Sequence, residues 1–161
     1  EYLRAFEVEI LDCEAEGWSI EQSAAAIEAQ KPDLAVFTVY GQQPSASTQC
    51  LPAAEAVASR LNCPTIALGT HPSALPDKTL REGPWTYVAQ GEGHRTVMGL
   101  LRVMSGNGEL SDVKGLWHRG GETSPVRVSE NLDAELGGDD RTNAGTHYIM
   151  LREDAILAVE E

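Results

Sequence analysis

The eight residues 33-DLAVFTVY-40 constrain the fold more than any other stretch, because almost every one is apolar or β-branched. A strand with one wet face alternates, whereas a run without polar relief belongs to a strand covered on both sides, as in parallel sheets. Parallel strands need crossover helices, and the flanking sequence supplies them. On one side, 19-SIEQSAAAIEAQKP-32 offers Ser19 as N-cap with Gln22 three places later, aligns Ile20, Ala24 and Ile27, and stops before Pro32. On the other, the segment from Ser47 to Asn62 places Leu51, Ala54, Val57, Ala58 and Leu61 on one helical face, with Pro52 tolerable only near its first turn.

The alternation extends in both directions. Residues Phe6 to Asp12 set Phe6, Val8 and Ile10 on one face of a half-buried strand, and Thr65 to Leu68 read as a second buried strand. A third strand, 86-TYVAQ-90, exits through 91-GEGHRT-96 into a helix carrying Val97, Leu100, Leu101 and Met104 on one side. Residues 1–110 are therefore expected to form an α/β domain with a doubly wound parallel sheet. Beyond Gly106, 112-DVKGLWHR-119 and 125-PVRVSE-130 around 120-GGETS-124 predict a β-hairpin extension over residues 111–130. Residues 131–161 read as a polar, glycine-rich linker ending in a short helix, 152-REDAILAVEE-161. The opening, 1-EYLRAFEVEIL-11, looks like a helix end running into a strand, so the first strand of the sheet and its loop are expected to precede Glu1.

Charge and cysteine usage narrow the partners. A formal net charge of −13 repels nucleic-acid backbones and anionic membranes, and no apolar run approaches the roughly 18 residues of a membrane span. Cys13, Cys50 and Cys63 lie far apart without metal-site or dithiol spacing, which suits reduced, mostly buried thiols in a cytoplasmic protein. Trp18, Trp85 and Trp117 read as packing residues, and the acidic pairs Glu14/Glu16 and Asp139/Asp140 as solvated surface. No nucleophile has a base at motif spacing, and no paired carboxylates mark a pocket, so binding rather than autonomous catalysis is expected.

Doubly wound sheets bind ligands outside the carboxyl ends of their strands. Three such ends are visible: Gly41 to Ser47, Gly69 to Pro76, and Gly91 to Thr96. They are rich in glycine, serine, threonine and glutamine, with Arg95 as their one full positive charge beside His71 and His94. The G-x-x-x-x-G-K phosphate loop is absent, which disfavours ATP and GTP. A large ligand with many amides fits this neutral lining better.

The runs 36-VFTVYGQQPSAS-47, 66-IALGTHPSALP-76, 87-YVAQGEGHRT-96 and 113-VKGLWHR-119, in that order, resemble the N-terminal cobalamin (B12)-binding domain of B12-dependent, class B radical SAM enzymes. The resemblance implies a corrin against the carboxyl edge. Tyr40, Gly41, Gln42, Gln43, Pro44 and Ser45 would lie near the macrocycle. Ser47 and Gly69, Thr70, His71, Pro72 and Ser73 would lie near the nucleotide tail, and Gly91, Glu92, Gly93 and His94 at the third loop. The family's usual glutamate is His94 here, and its frequent second glycine is Thr70. The D-x-H-x-x-G motif that brings a histidine to cobalt occurs around none of the four histidines, which implies base-off cobalamin without a protein histidine ligand. The C-x-x-x-C-x-x-C cluster motif is also missing, so a [4Fe-4S] cluster and S-adenosylmethionine would belong to a radical SAM catalytic domain in the same polypeptide. Methyltransferases and ring cyclases are the reactions so implied.

The residues alone leave two other classes open. A flavodoxin-like FMN carrier would place its phosphate loop after the first strand. A regulatory receiver domain would need an aspartate and a lysine at strand ends that here read Tyr40 and Gln90. His71, between Thr70 and Pro72, reads as a loop-shaping residue rather than a cobalt ligand.

Overall fold

The computed structural model describes residues 6–40, 44–91, 93–125 and 147–152. Strand β1 (Glu7–Leu11) is followed by α1 (Ile20–Gln30), β2 (Leu34–Val39), α2 (Pro44–Ala58) and β3 (Thr65–Gly69). Two short helices, α3 (Thr70–Ala74) and α4 (Pro76–Glu82), lead to β4 (Tyr87–Ala89) and α5 (His94–Met104). A 3-10 turn at Leu110–Asp112 precedes β5 (Leu116–His118) and β6 (Gly121–Glu122), and β7 (His147–Arg152) is the last described strand.

Local chemistry explains the first crossover. The Gln22 amide donates to Ser19 Oγ at 3.2 Å, while Ser19 N donates to Gln22 Oε1 at 2.8 Å, closing the predicted capping box. At the far end Lys31 adopts a left-handed conformation (φ 52°), and Pro32 prevents further helix. Strand β2 then enters the core with every residue buried.

The sheet is mixed, in the order β1-β7-β2-β3-β4-β5-β6. Strands β2, β3 and β4 are parallel, with Val36 opposite Ile66 and Ile66 opposite Tyr87. β7 lies antiparallel between β1 and β2, pairing Ile149 with both Ile10 and Val36, and β5 and β6 extend the other side antiparallel to β4. The all-parallel pattern expected from the apolar runs thus holds for the centre only.

Each face of the sheet has its own core. Ala35, Phe37 and Val39 point toward α1, α2 and α4, packing with Ile27, Ala54, Val57 and Trp85. Within that core the Phe37 and Trp85 rings meet edge to face with centroids 5.1 Å apart. Leu34 and Val36 point the other way and pack with Ile66, Leu68, Val97 and Leu100, so α5 covers this second face.

Several boundaries differ from expectation. α2 begins at Pro44 rather than Ser47, which puts Pro52 in the helix interior on an exposed position, where its bulk meets solvent. The expected loop from Gly69 to Pro76 is mostly α3 and α4, since Pro76 opens α4 where a missing N–H costs nothing. The hairpin turns earlier, pairing Trp117 with Glu122 and His118 with Gly121 across Arg119 and Gly120, and residues 126–130 of the expected second strand lie outside the described residues. The linker segment 131–146 and the helix over 153–161 lie outside the described residues, while 147–152 is strand.

Candidate functional site

The parallel arrangement of β2, β3 and β4 brings their carboxyl ends to one edge, and small polar side chains tie the segments that leave them together. At the end of β3, Gly69 has φ 134°, and a Cβ there would fall 2.7 Å from the Val39 carbonyl carbon and closer still to its oxygen. Only glycine lets the two strand ends approach this closely. Ser47, fully buried in α2, completes the junction: its Oγ donates to the Val39 carbonyl and accepts the His71 amide at 3.1 Å. One hydroxyl therefore joins the ends of β2 and β3 to the start of α3.

His71 is anchored through its ring as well, with Nδ1 2.9 Å from Thr48 Oγ1. Two residues on, Ser73 bridges to the third loop. Its Oγ donates to the Gly91 carbonyl and accepts the Gly91 amide, both at 3.1 Å. Gln90 reinforces the bridge, since its Nε2 donates to the Ser73 carbonyl at 3.4 Å and its Oε1 accepts the Trp117 indole N–H at 3.0 Å. A continuous chain of hydrogen bonds thus runs from β5 through the loop after β4 and α3 to α2.

Gly93 caps α5 with φ 75°, its Cα hydrogen side only 3.1 Å, measured to an added Cβ, from Leu68 Cβ. His94 opens that helix half-buried, and its Nε2 is enclosed with no hydrogen-bond partner among the described residues. Tyr40 at 38% exposure and Leu75 at 46% present aromatic and aliphatic surface beside these polar groups. Thr70 is exposed, whereas Pro72 is buried as a packing residue under α3.

Of the sequence candidates, Ser47, Gly69, Thr70, His71, Ser73, Gly91, Gly93 and His94 gather along this edge. Pro44 and Ser45 occupy the first turn of α2 rather than a loop. Gly41, Gln42, Gln43 and Glu92 lie outside the described residues. Sequence reasoning missed Thr48 and Gln90 as structural partners and treated Trp117 as packing alone, although its indole also donates to Gln90. The position of Gln90 at a strand end, directly before a glycine, was the available signal.

The edge carries mainly neutral polar groups. No cluster of three or more histidine, cysteine, aspartate or glutamate side chains able to hold a metal occurs among the described residues. The thiols are all free, and they belong to the core rather than the edge. Burial, with Glu28 adding to it, pushes the Cys63 thiol up to about 11, and burial likewise raises Cys13. Such thiols stay protonated and unreactive at neutral pH. What remains at the edge is a ridge of hydroxyls, amides, backbone groups and two exposed apolar side chains. No family model matches the chain, and comparison with curated proteins and with solved structures gives no significant match.

Proposed function

We propose that this edge binds cobalamin, and that the chain is the cobalamin-binding module of a B12-dependent radical SAM enzyme of the methyltransferase or cyclase type. The observation that carries the reading is the neutral ridge itself: three strand ends cross-linked by Ser47, Ser73 and Gln90, with Tyr40 and Leu75 exposed alongside. A corrin is a broad, largely uncharged ligand edged by amides, and such a ligand is held by neutral donors and acceptors next to apolar surface. Helices on both faces of β2, β3 and β4 support a doubly wound, B12-binding type of domain.

The residues present fit such a group. Thr70 and the backbone of α3 would meet the nucleotide tail, Tyr40 the macrocycle, and Gly91 and Gly93 the third side. Bound cobalamin supplies a cobalt that carries a methyl group or passes electrons. None of the four histidines stands in a D-x-H-x-x-G context, which supports base-off binding without a protein histidine below cobalt. The [4Fe-4S] cluster, S-adenosylmethionine and the substrate would belong to a radical SAM catalytic domain in the same cytoplasmic polypeptide.

Anaerobic titration with hydroxocobalamin and, separately, with FMN, followed by gel filtration and absorbance spectroscopy, tests the proposal. Retained cobalamin with a base-off spectrum is expected. Retention of FMN in its place, or of neither ligand by a protein whose circular dichroism shows it folded, would overturn the reading.

A further inference from the structure

Strand β4 is the shortest of the three parallel strands, and its ladder to β3 stops at the pair Ala67 and Val88. Beyond Val88 the chain stays tied to β5, since Ala89 pairs with Leu116 and the Gln90 amide N–H donates to the Gly115 carbonyl at 2.8 Å. The far end of the third loop is tied to the same segment: Thr96 Oγ1, fully buried in the first turn of α5, donates to the Lys114 carbonyl at 2.7 Å. Toward α3, past the end of the ladder, the loop is joined by two side chains, Ser73 and Gln90. The orientation of the Gln90 amide is fixed by what it meets. The Trp117 indole N–H can only donate and takes Oε1, whereas the Ser73 carbonyl can only accept and takes Nε2. Trp117 in turn packs against the core that holds Phe37 and Trp85, so one end of this spacer is seated on the sheet.

We infer that Gln90 is a positioning residue for the candidate site: it sets how far α3 stands from the third loop and so governs affinity at the edge from behind it, without touching the ligand. Cobalamin as that ligand is taken from the reading above, whereas the spacing of α3 and the loop is independent of it. Ser73 Oγ already binds both the N–H and the carbonyl of Gly91, so a displacement of Ser73 is passed directly to the loop. A carboxylate at position 90 would keep an acceptor for Trp117 but turn an oxygen toward the Ser73 carbonyl, where two acceptors repel. Once protonated, the same carboxyl can donate to Ser73 and accept from Trp117 as the amide does. Gln90→Glu therefore turns a fixed spacer into one that protonation closes, which separates positioning from packing.

Nitrogen-15 nuclear magnetic resonance and hydroxocobalamin titration of the parent, Gln90→Glu and Gln90→Leu chains from about pH 4 to about pH 8 test this role. At neutral pH Gln90→Glu should move the Ser73 and Gly91 amide signals and weaken cobalamin binding about 2- to 10-fold, the worth of one hydrogen bond. In acid both should return to the parent's values, with a shared midpoint at or above the ordinary glutamate value of about 4.3, while Gln90→Leu stays weak throughout. Three results overturn the role: Ser73 and Gly91 signals in Gln90→Glu that match the parent's at neutral pH, signals that differ from the parent's equally at every pH, or signals that move while a cobalamin-binding parent and its variant keep the same affinity. A parent that retains no cobalamin defeats the functional reading instead, and the Ser73 and Gly91 signals still decide whether Gln90 holds the loop.

Discussion

Strands β2 and β3 and the segments that leave them are held by opposite means. Thr38 and Val39 are 5% and 0% exposed, yet Tyr40, one residue later, is 38% exposed. Inside the sheet, position is set by apolar surface on both sides, which tolerates any side chain of similar volume. At the edge, position is set by single atoms: one serine oxygen at Ser47, one hydroxyl at Ser73, one missing methyl at Gly69. The core makes the scaffold stable, and the edge fixes where its strand ends lie.

Substitutions test how cleanly the two regions divide these tasks. The largest effect is expected from Phe37→Ala, which removes a fully buried ring and its contact with Trp85 and should cost about 3–5 kcal/mol in urea unfolding. A loss under about 1 kcal/mol would break the comparison, because the interior would then not depend on its packing. Next comes Gly69→Ala. A strained backbone costs roughly 1–3 kcal/mol and overpacking against Val39 roughly as much again, so the change should destabilise by at least about 2 kcal/mol and, on the proposed reading, weaken cobalamin retention besides. Ser47→Ala leaves the half-buried His71 amide and the buried Val39 carbonyl without their shared partner and should cost about 1–3 kcal/mol by the same assay.

Two pH effects are smaller and sharpen the picture from outside the edge. Cys63 has its thiol raised from 9.0 to about 11 by burial, so the folded chain holds a proton that the unfolded chain releases, and stability should fall as pH rises through that window. The rate of Cys63 alkylation against pH reports it directly, with the reactive fraction expected to climb well above pH 9. Glu28 accepts the Asn62 amide at 2.6 Å and its side-chain N–H at 3.1 Å, and these bonds lower its carboxyl below the ordinary 4.5. Its contribution is present above that ordinary value and lost as pH falls through the lowered one. Thermal melts of Glu28→Gln and the parent chain should therefore converge in acid.

The features legible in the sequence were those encoded locally. The α1 capping box needs Ser19 and Gln22 alone, and the buried character of β2 and β3 follows from their own composition. The short helices α3 and α4 were hidden because Pro72 and Pro76 read as loop formers, although proline is compatible with a helix's first turn. β7 was hidden for a different reason. Its strand state comes from simultaneous pairing with β1 and β2, more than a hundred residues earlier, and nothing local to 147-HYIMLR-152 names those partners. The edge shows the same split. Gly69, His71 and Ser73 were visible as a turn after a strand, but the pairing of His71 with Thr48 and of Ser73 with Gly91 exists only once three segments converge.

Among the described strands the sheet order leaves β1 at one end, where a strand from another molecule would meet it. Its sequence, Glu7-Val8-Glu9-Ile10-Leu11, alternates acidic and apolar residues. At neutral pH a second β1 laid alongside would set like charges against each other, which discourages the sheet-to-sheet growth that begins fibrils. The acidic residues of an end strand thus guard against association between molecules as well as taking part in the fold.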